Sequence, residues 1–180
     1  KNFKSPKMND RIDDLMIILS VLKVFVGAQF GSILHEEIAL SIKENGTINS
    51  LLNLYSFAHS IEVNDEFIFA RLSLMYLLEL MSVNIIAEKV IASGLFLVLL
   101  ESPISRPIRT GGVSISHGIH YHRLWTNGIL PIIITSLFKL GASVVPEVCV
   151  VLQLFGKQTQ YCIESWSRDS SSSKVSTALV

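Results

Sequence analysis

Three imidazoles fall close together at His117, His120 and His122, in the stretch Ser-His-Gly-Ile-His-Tyr-His. Neutral imidazole nitrogens at this density are the donor set of a zinc site. A closed site needs a fourth ligand, and none is at hand. No Asp or Glu lies beside the cluster, and the thiols Cys149 and Cys162 sit in apolar stretches. The expectation is a solvated loop whose end caps the next helix, with no metal and no cofactor. His35-Glu36-Glu37 looks like half of a zincin helix, but the position four after His35 is Ala39, so the motif fails.

Other chemistries find no better footing. No Gly-x-Ser-x-Gly elbow, phosphate-binding Gly-x-x-x-x-Gly-Lys-Ser/Thr loop or Gly-x-Gly-x-x-Gly fingerprint occurs. Glu62, Asp65 and Glu66 suit a helix N-terminus better than a carboxylate dyad. Asn45-Gly46-Thr47 matches a glycosylation sequon formally, yet reads as a turn between helices. Cys149 and Cys162 are expected to be two buried free thiols. The sequence predicts no catalytic residue and no enzyme.

What remains is recognition by aromatic groups. Trp125, Phe138, Phe155, Tyr161 and Trp166 lie in the last third of the chain. Trp and Tyr dominate interface hot spots because they bring large area at small entropic cost. The candidate anchors are Trp125, Leu154, Phe155, Tyr161 and Trp166, with Trp166 expected to be exposed beside a polar tail.

Such anchors need helices to carry them, and the pattern is helical throughout. In Ile12–Gln29 the polar residues Asp13, Ser20, Lys23 and Gly27 trace one thin stripe, with Asn9 as an expected N-cap. In Val63–Ser82 the stripe is Asn64, Arg71, Glu79 and Ser82, with Asn64 as cap. Both helices are apolar over far more than the third of a circumference that a surface helix shows, so both should be covered on two or three sides. Stacked helical arrays impose that demand.

A phrase also repeats. Asn45-Gly46, Ser93-Gly94 and Asn127-Gly128 each follow a helical stretch and open a long apolar one. A left-handed glycine ends one helix and lets the next begin. The glycines are 48 and 34 residues apart, against about 40–47 for HEAT and armadillo repeats. Helices are expected over about 9–29, 31–44, 47–60, 64–82, 84–92, 94–101, 122–141 and 143–166, the last breaking at Gly156. Residues 102–120, with two prolines and three glycines, read as a loop; 167–180, rich in serine, read as a disordered tail. Solenoid repeats are therefore assigned to 1–166.

Composition bounds the function. Hydrophobic residues make up 49% and charged residues 17%, below the roughly 25% charged of ordinary domains. Fifteen Lys and Arg balance fifteen Asp and Glu, and no basic run occurs. That disfavours nucleic acid, whose phosphates demand a basic surface. The apolar windows Leu15–Leu34 and Leu124–Phe155 are interrupted by Lys23 and by Asn127, Pro131, Lys139, Pro146 and Glu147. A spanning helix needs about 20 mostly apolar residues, so direct membrane insertion is not expected. The chain begins at Lys1, which reads as a piece of something larger.

His-Arg-Leu-Trp-Thr-Asn-Gly-Ile-Leu-Pro at 122–131, Gly-Ala-Ser-Val-Val-Pro-Glu-Val at 141–148 and Leu-Gln-Leu-Phe at 152–155 resemble the C-terminal tail of the large inner-ring scaffold nucleoporins of the nucleoporin 188 type. The resemblance implies an all-α superhelix of HEAT- and armadillo-like repeats. It implies a structural role in the nuclear pore complex, serving nucleocytoplasmic and mRNA transport. Its implied partners are other nucleoporins, above all a linker nucleoporin, with transport receptors or Phe-Gly segments as further possibilities. No Phe-Gly repeat occurs; Phe155-Gly156 is an isolated case. The expected function is thus a scaffold that lays a partner segment into a groove near its end. The rival readings are a HEAT-repeat transport receptor or adaptor, an integral membrane protein, and an all-α enzyme using the histidine loop.

Overall fold

Helix α4 (Ile68–Leu80) is the axis of the molecule, and its burial explains the rest. Phe69, Ala70, Leu72, Ser73, Leu74, Tyr76, Leu77 and Leu80 are all buried. Only Arg71, Leu78 and Glu79 and a few partly covered neighbours see water. The thin polar stripe therefore reports what it should, a helix enclosed by several others. The computed structural model describes residues 6–26, 32–61 and 66–175, and within them all side chains but those of 6–9, 32, 117 and 168–175.

Around α4 the described residues form ten further helices: α1 (Pro6–Phe25), α2 (Ser32–Glu44), α3 (Thr47–Phe57), α5 (Asn84–Ala92), α6 (Leu95–Glu101), α7 (Arg106–Thr110), α8 (Ile115–Leu124), α9 (Leu130–Leu140), α10 (Val145–Leu154) and α11 (Gly156–Val175). No strand occurs among the described residues. Helices α3, α1 and α9 press on α4; α5 lies against α9, α10 against α6, and α11 against α7. The result is an all-α, HEAT/armadillo-like superhelical solenoid with one continuous core.

Two glycine turns behave as their sequence predicts. Gly46 (φ 60°) and Gly94 (φ 85°) are left-handed and open α3 and α6 at once. The third copy does not. Gly128 lies within a π-helical turn, Trp125–Ile129, that carries α8 into α9 without a stop. Its glycine serves a close approach instead. A Cβ there would meet Leu74 Cδ1 at 2.5 Å.

Segment 102–120 is not a loop. It folds into a 3₁₀ turn (Pro103–Ser105), α7 and the start of α8, leaving Ser102 and Gly111–Ser114 between helices. Pro103 and Pro107 sit in first turns, where a missing N–H costs nothing. Ile104 and Ile108 are buried, and the buried Tyr55 hydroxyl bonds Ser105 Oγ at 2.7 Å. Local composition signalled a loop; two apolar side chains and one polar tie overrode it.

The helix starts also moved. Helix α1 begins at Pro6, so Asn9 lies inside it and is no cap. The proposed cap Asn64 and the neighbouring Glu62 and Asp65 lie outside the described residues. Glu66 is not in the first turn of α4; it pairs with Arg71 (3.1 Å), Arg123 (3.7 Å) and His120 (3.7 Å), tying the approach to α4 onto α8. Nor is α1 enclosed as its pattern predicts. Ile12, Leu19 and Val26 are buried, but Ile17, Ile18, Val21, Val24 and Phe25 face outward. The Tyr76 hydroxyl donates to Leu15 O at 2.7 Å and Lys23 pairs with Glu79 at 3.2 Å, so α4 holds α1 from one side.

Candidate binding surface on the last helices

The five candidate anchors divide into two groups. Trp125 and Phe155 are 0% exposed and touch each other, ring centroids 5.0 Å apart at 36°. They are core, and they cannot meet a partner. The reason is the π-helical turn, which rotates Trp125 inward to where Phe155, at the α10–α11 junction, closes over it. Leu154, Tyr161 and Trp166 remain at the surface, Trp166 at 57% exposure.

Helix α10 shows how the surface arises. Val148 and Val151 are buried, while Val150 and Leu154, four residues apart on the adjoining flank, are exposed. In α11 Gln158 and Cys162 are buried one turn apart; Trp166 continues that row one turn further and is exposed there, beside the exposed Ile163. Tyr161 belongs to neither row. Its ring lies over Gly112, where a Cβ would meet Tyr161 Cε2 at 2.8 Å. There it borders a hollow of about 360 Å³ with Ser114, Ser116, His122 and Glu164. The clustering of aromatics in sequence therefore maps to three places in space.

One exposed aromatic lies outside that anchor set. Phe138 of α9 is 85% exposed, with Ile134 one turn before it also outward. Ser136 is buried and donates to Ile132 O at 2.8 Å. In α9 a polar side chain is thus buried while two large apolar ones face outward. Lys139 donates to Ser82 O at 2.6 Å, which fixes the helix in that rotation.

His120 and His122 do not converge. His120 faces Glu66, and His122, two residues on, is buried with Nδ1 at 3.2 Å from Gln158 Nε2. Burial lowers the His122 pKa, partly offset by a backbone hydrogen bond at Val113. The His117 side chain lies outside the described residues. Among the described residues no three His, Cys, Asp or Glu side chains could hold a metal ion.

The thiols also differ from expectation: Cys162 is buried but Cys149 is exposed. Burial pushes the Cys162 thiol up, more than Gln158 and Trp125 lower it. Trp125 Nε1 is buried with no hydrogen-bond partner among the described residues.

By length and composition the helical run Gly118–Leu154 could cross a membrane; its most apolar window has a mean hydropathy of 1.9 and is 33% buried. Gly141, at φ 58° and ψ −133°, breaks the run between α9 and α10.

The chain is similar to known proteins over nearly its whole length. The family described as Nuclear pore protein NUP188 C-terminal domain matches residues 5–179. Nucleoporin NUP188 of Saccharomyces cerevisiae is 38% identical over 159 residues, which make up 88% of this chain and 10% of that protein. Nucleoporin nup184 of Schizosaccharomyces pombe is 27% identical over 173 residues, 94% of this chain and 11% of that one. The chain thus spans about a tenth of the length of these curated relatives. A solved Nup188 fragment from Myceliophthora thermophila shares the fold, with a TM-score of 0.70 and 24% identity over 85% of this chain and 46% of that one.

Proposed function

The chain belongs to the NUP188 C-terminal-domain family of nuclear pore proteins, and on that premise we propose that it is a structural scaffold module of the nuclear pore complex that holds a linker nucleoporin on its last two helices. The family places it at the nuclear pore complex, in the nuclear envelope. The inner-ring position and the linker partner belong to the same proposal. It is a non-catalytic reading, with no cofactor and no nucleic acid.

One observation carries it. Ile163 and Trp166 stand exposed on α11, Trp166 one turn beyond Cys162 on the row that Gln158 and Cys162 lock into the core. Anchors on a rigid helix lose little entropy when a partner arrives. An amphipathic segment laid along α11, reaching Leu154 and Val150 on α10, would bury these apolar groups in the helix-in-groove mode. The apolar face of α1, where Ile17, Val21 and Val24 recur one turn apart, suits stacking by a neighbouring repeat of a much longer solenoid.

Titration of a linker nucleoporin segment into wild type and Trp166→Ala or Ile163→Ala tests the reading. Affinity should fall at least tenfold with unchanged melting. Equal affinity in all three would move the partner elsewhere. Cargo release on adding a nucleotide-loaded GTPase would instead favour a transport receptor or adaptor. The run Gly118–Leu154 supports a membrane alternative, and co-flotation of the chain with lipid vesicles would favour it.

A further inference from the structure

A second surface, remote in sequence from α10 and α11, lies where the two glycine turns stack. Gly46 and Gly94 end α2 and α5 in the same left-handed way, and α2 packs on α5. A hollow of about 310 Å³ opens between the turns, with Ile42, Ile48, Lys43, Lys89, Asn49 and Ala92 in its walls. Its floor is apolar, since Ile42 and Ile48 belong to the core. Its rim is cationic. Lys43 stands exposed in the last turn of α2, and Lys89 crosses from α5 to Ala39 O at 3.4 Å, using one of three donors.

A lysine in a last turn is ordinarily explained by the dipole of its own helix. That accounts for each lysine singly. It does not require two from different helices to meet over one apolar floor. Neither has a carboxylate within ion-pair distance among the described residues, and Glu44 and Glu88, their sequence neighbours, do not line the hollow. The first turn of α3 adds unpaired backbone N–H groups at the same mouth. Positive potential thus surrounds an apolar seat wide enough for about one side chain, at the low end of ligand pockets, roughly 300 Å³.

We propose that this notch docks an acidic linear peptide segment of a partner protein, one aliphatic side chain seated on Ile42 and Ile48 and flanking carboxylates paired with Lys43 and Lys89. Charge complementarity selects the occupant. Nucleic acid fits less well, because the chain carries fifteen cationic and fifteen anionic residues, with no basic track to follow a phosphate backbone.

A randomised dodecapeptide library displayed on phage, selected on the 180-residue chain and counter-selected on Lys43→Glu/Lys89→Glu, tests this directly. The expected winners carry Asp or Glu on both sides of one Leu, Ile or Val. They should bind the double variant at least tenfold more weakly and lose affinity as salt rises. If that variant melts lower than wild type, Lys43→Gln/Lys89→Gln should show a smaller loss in the same direction. Winners without acidic excess, winners that bind the variants as well as wild type, or no winners at all would overturn the proposal. A mixed-sequence oligonucleotide that binds wild type and loses binding with the lysines would overturn it in favour of nucleic acid.

Discussion

Gln158 of α11 donates from Nε2 to Nδ1 of His122 in α8 at 3.2 Å, with both side chains buried. The same amide accepts Val113 N–H at 2.7 Å and donates to Val113 O at 3.2 Å. One glutamine therefore fastens α11 to α8 and to the short crossing between α7 and α8. Truncation would leave buried backbone groups of Val113 unpaired. Gln158→Ala is expected to cost about 1–3 kcal/mol, measured by urea unfolding.

That bond sets a pH dependence. Nδ1 accepts, so the ring proton sits on Nε2; protonating Nδ1 would point an N–H at the Gln158 amide donor. Burial already holds the His122 pKa below its ordinary value of about 6.5. The unfolded chain therefore binds more protons than the folded one from about 6.5 downward. His122 contributes stability above that pH, lost as pH falls through the folded value. Thermal melts from pH 8 to 5 should decline, and His122→Gln should flatten the decline. A parallel decline in both proteins would refute the assignment.

Trp125 and Trp166 should separate cleanly. Trp125→Ala or Phe155→Ala opens the core and should cost about 3–5 kcal/mol. Trp166→Ala removes an outward ring and should change stability by no more than about 0.5 kcal/mol. Equilibrium denaturation of the three variants decides it.

The glycines divide by cause. Gly46→Ala and Gly94→Ala meet no atom within 4 Å, so only the left-handed backbone opposes them, at about 1–2 kcal/mol. Gly128→Ala has no such backbone demand but collides with Leu74, and overpacking costs about 1–3 kcal/mol. Leu74→Ala should therefore partly relieve Gly128→Ala and do nothing for Gly46→Ala. A double-mutant cycle measures that coupling.

A thiol-reactive probe added to folded protein should label Cys149 promptly. Cys162, buried and with its thiolate disfavoured, should react only in denaturant. Prompt reaction of both would mean that α11 opens readily.

The sequence alone determined the all-α class, the enclosure of α4 and the turns at Gly46 and Gly94. These follow from helical periodicity and from the one residue type that takes a positive φ cheaply, both local properties. It also carried the family resemblance, in the stretch from His122 to Phe155. Tertiary packing decided the rest. It folded Pro103–Thr110 into short helices by burying Ile104 and Ile108. Helix α11 runs through Ser167 to Val175, where serine content suggested a tail. It sent Trp125 and Phe155 inward and Phe138 outward. In helices apolar on nearly every side, polarity does not fix rotation about the axis. Tertiary contacts do, through one glycine against Leu74 and one lysine on the Ser82 carbonyl. So the sequence could say that this protein presents aromatics near its end, and only the assembled core could say which of them a partner can touch.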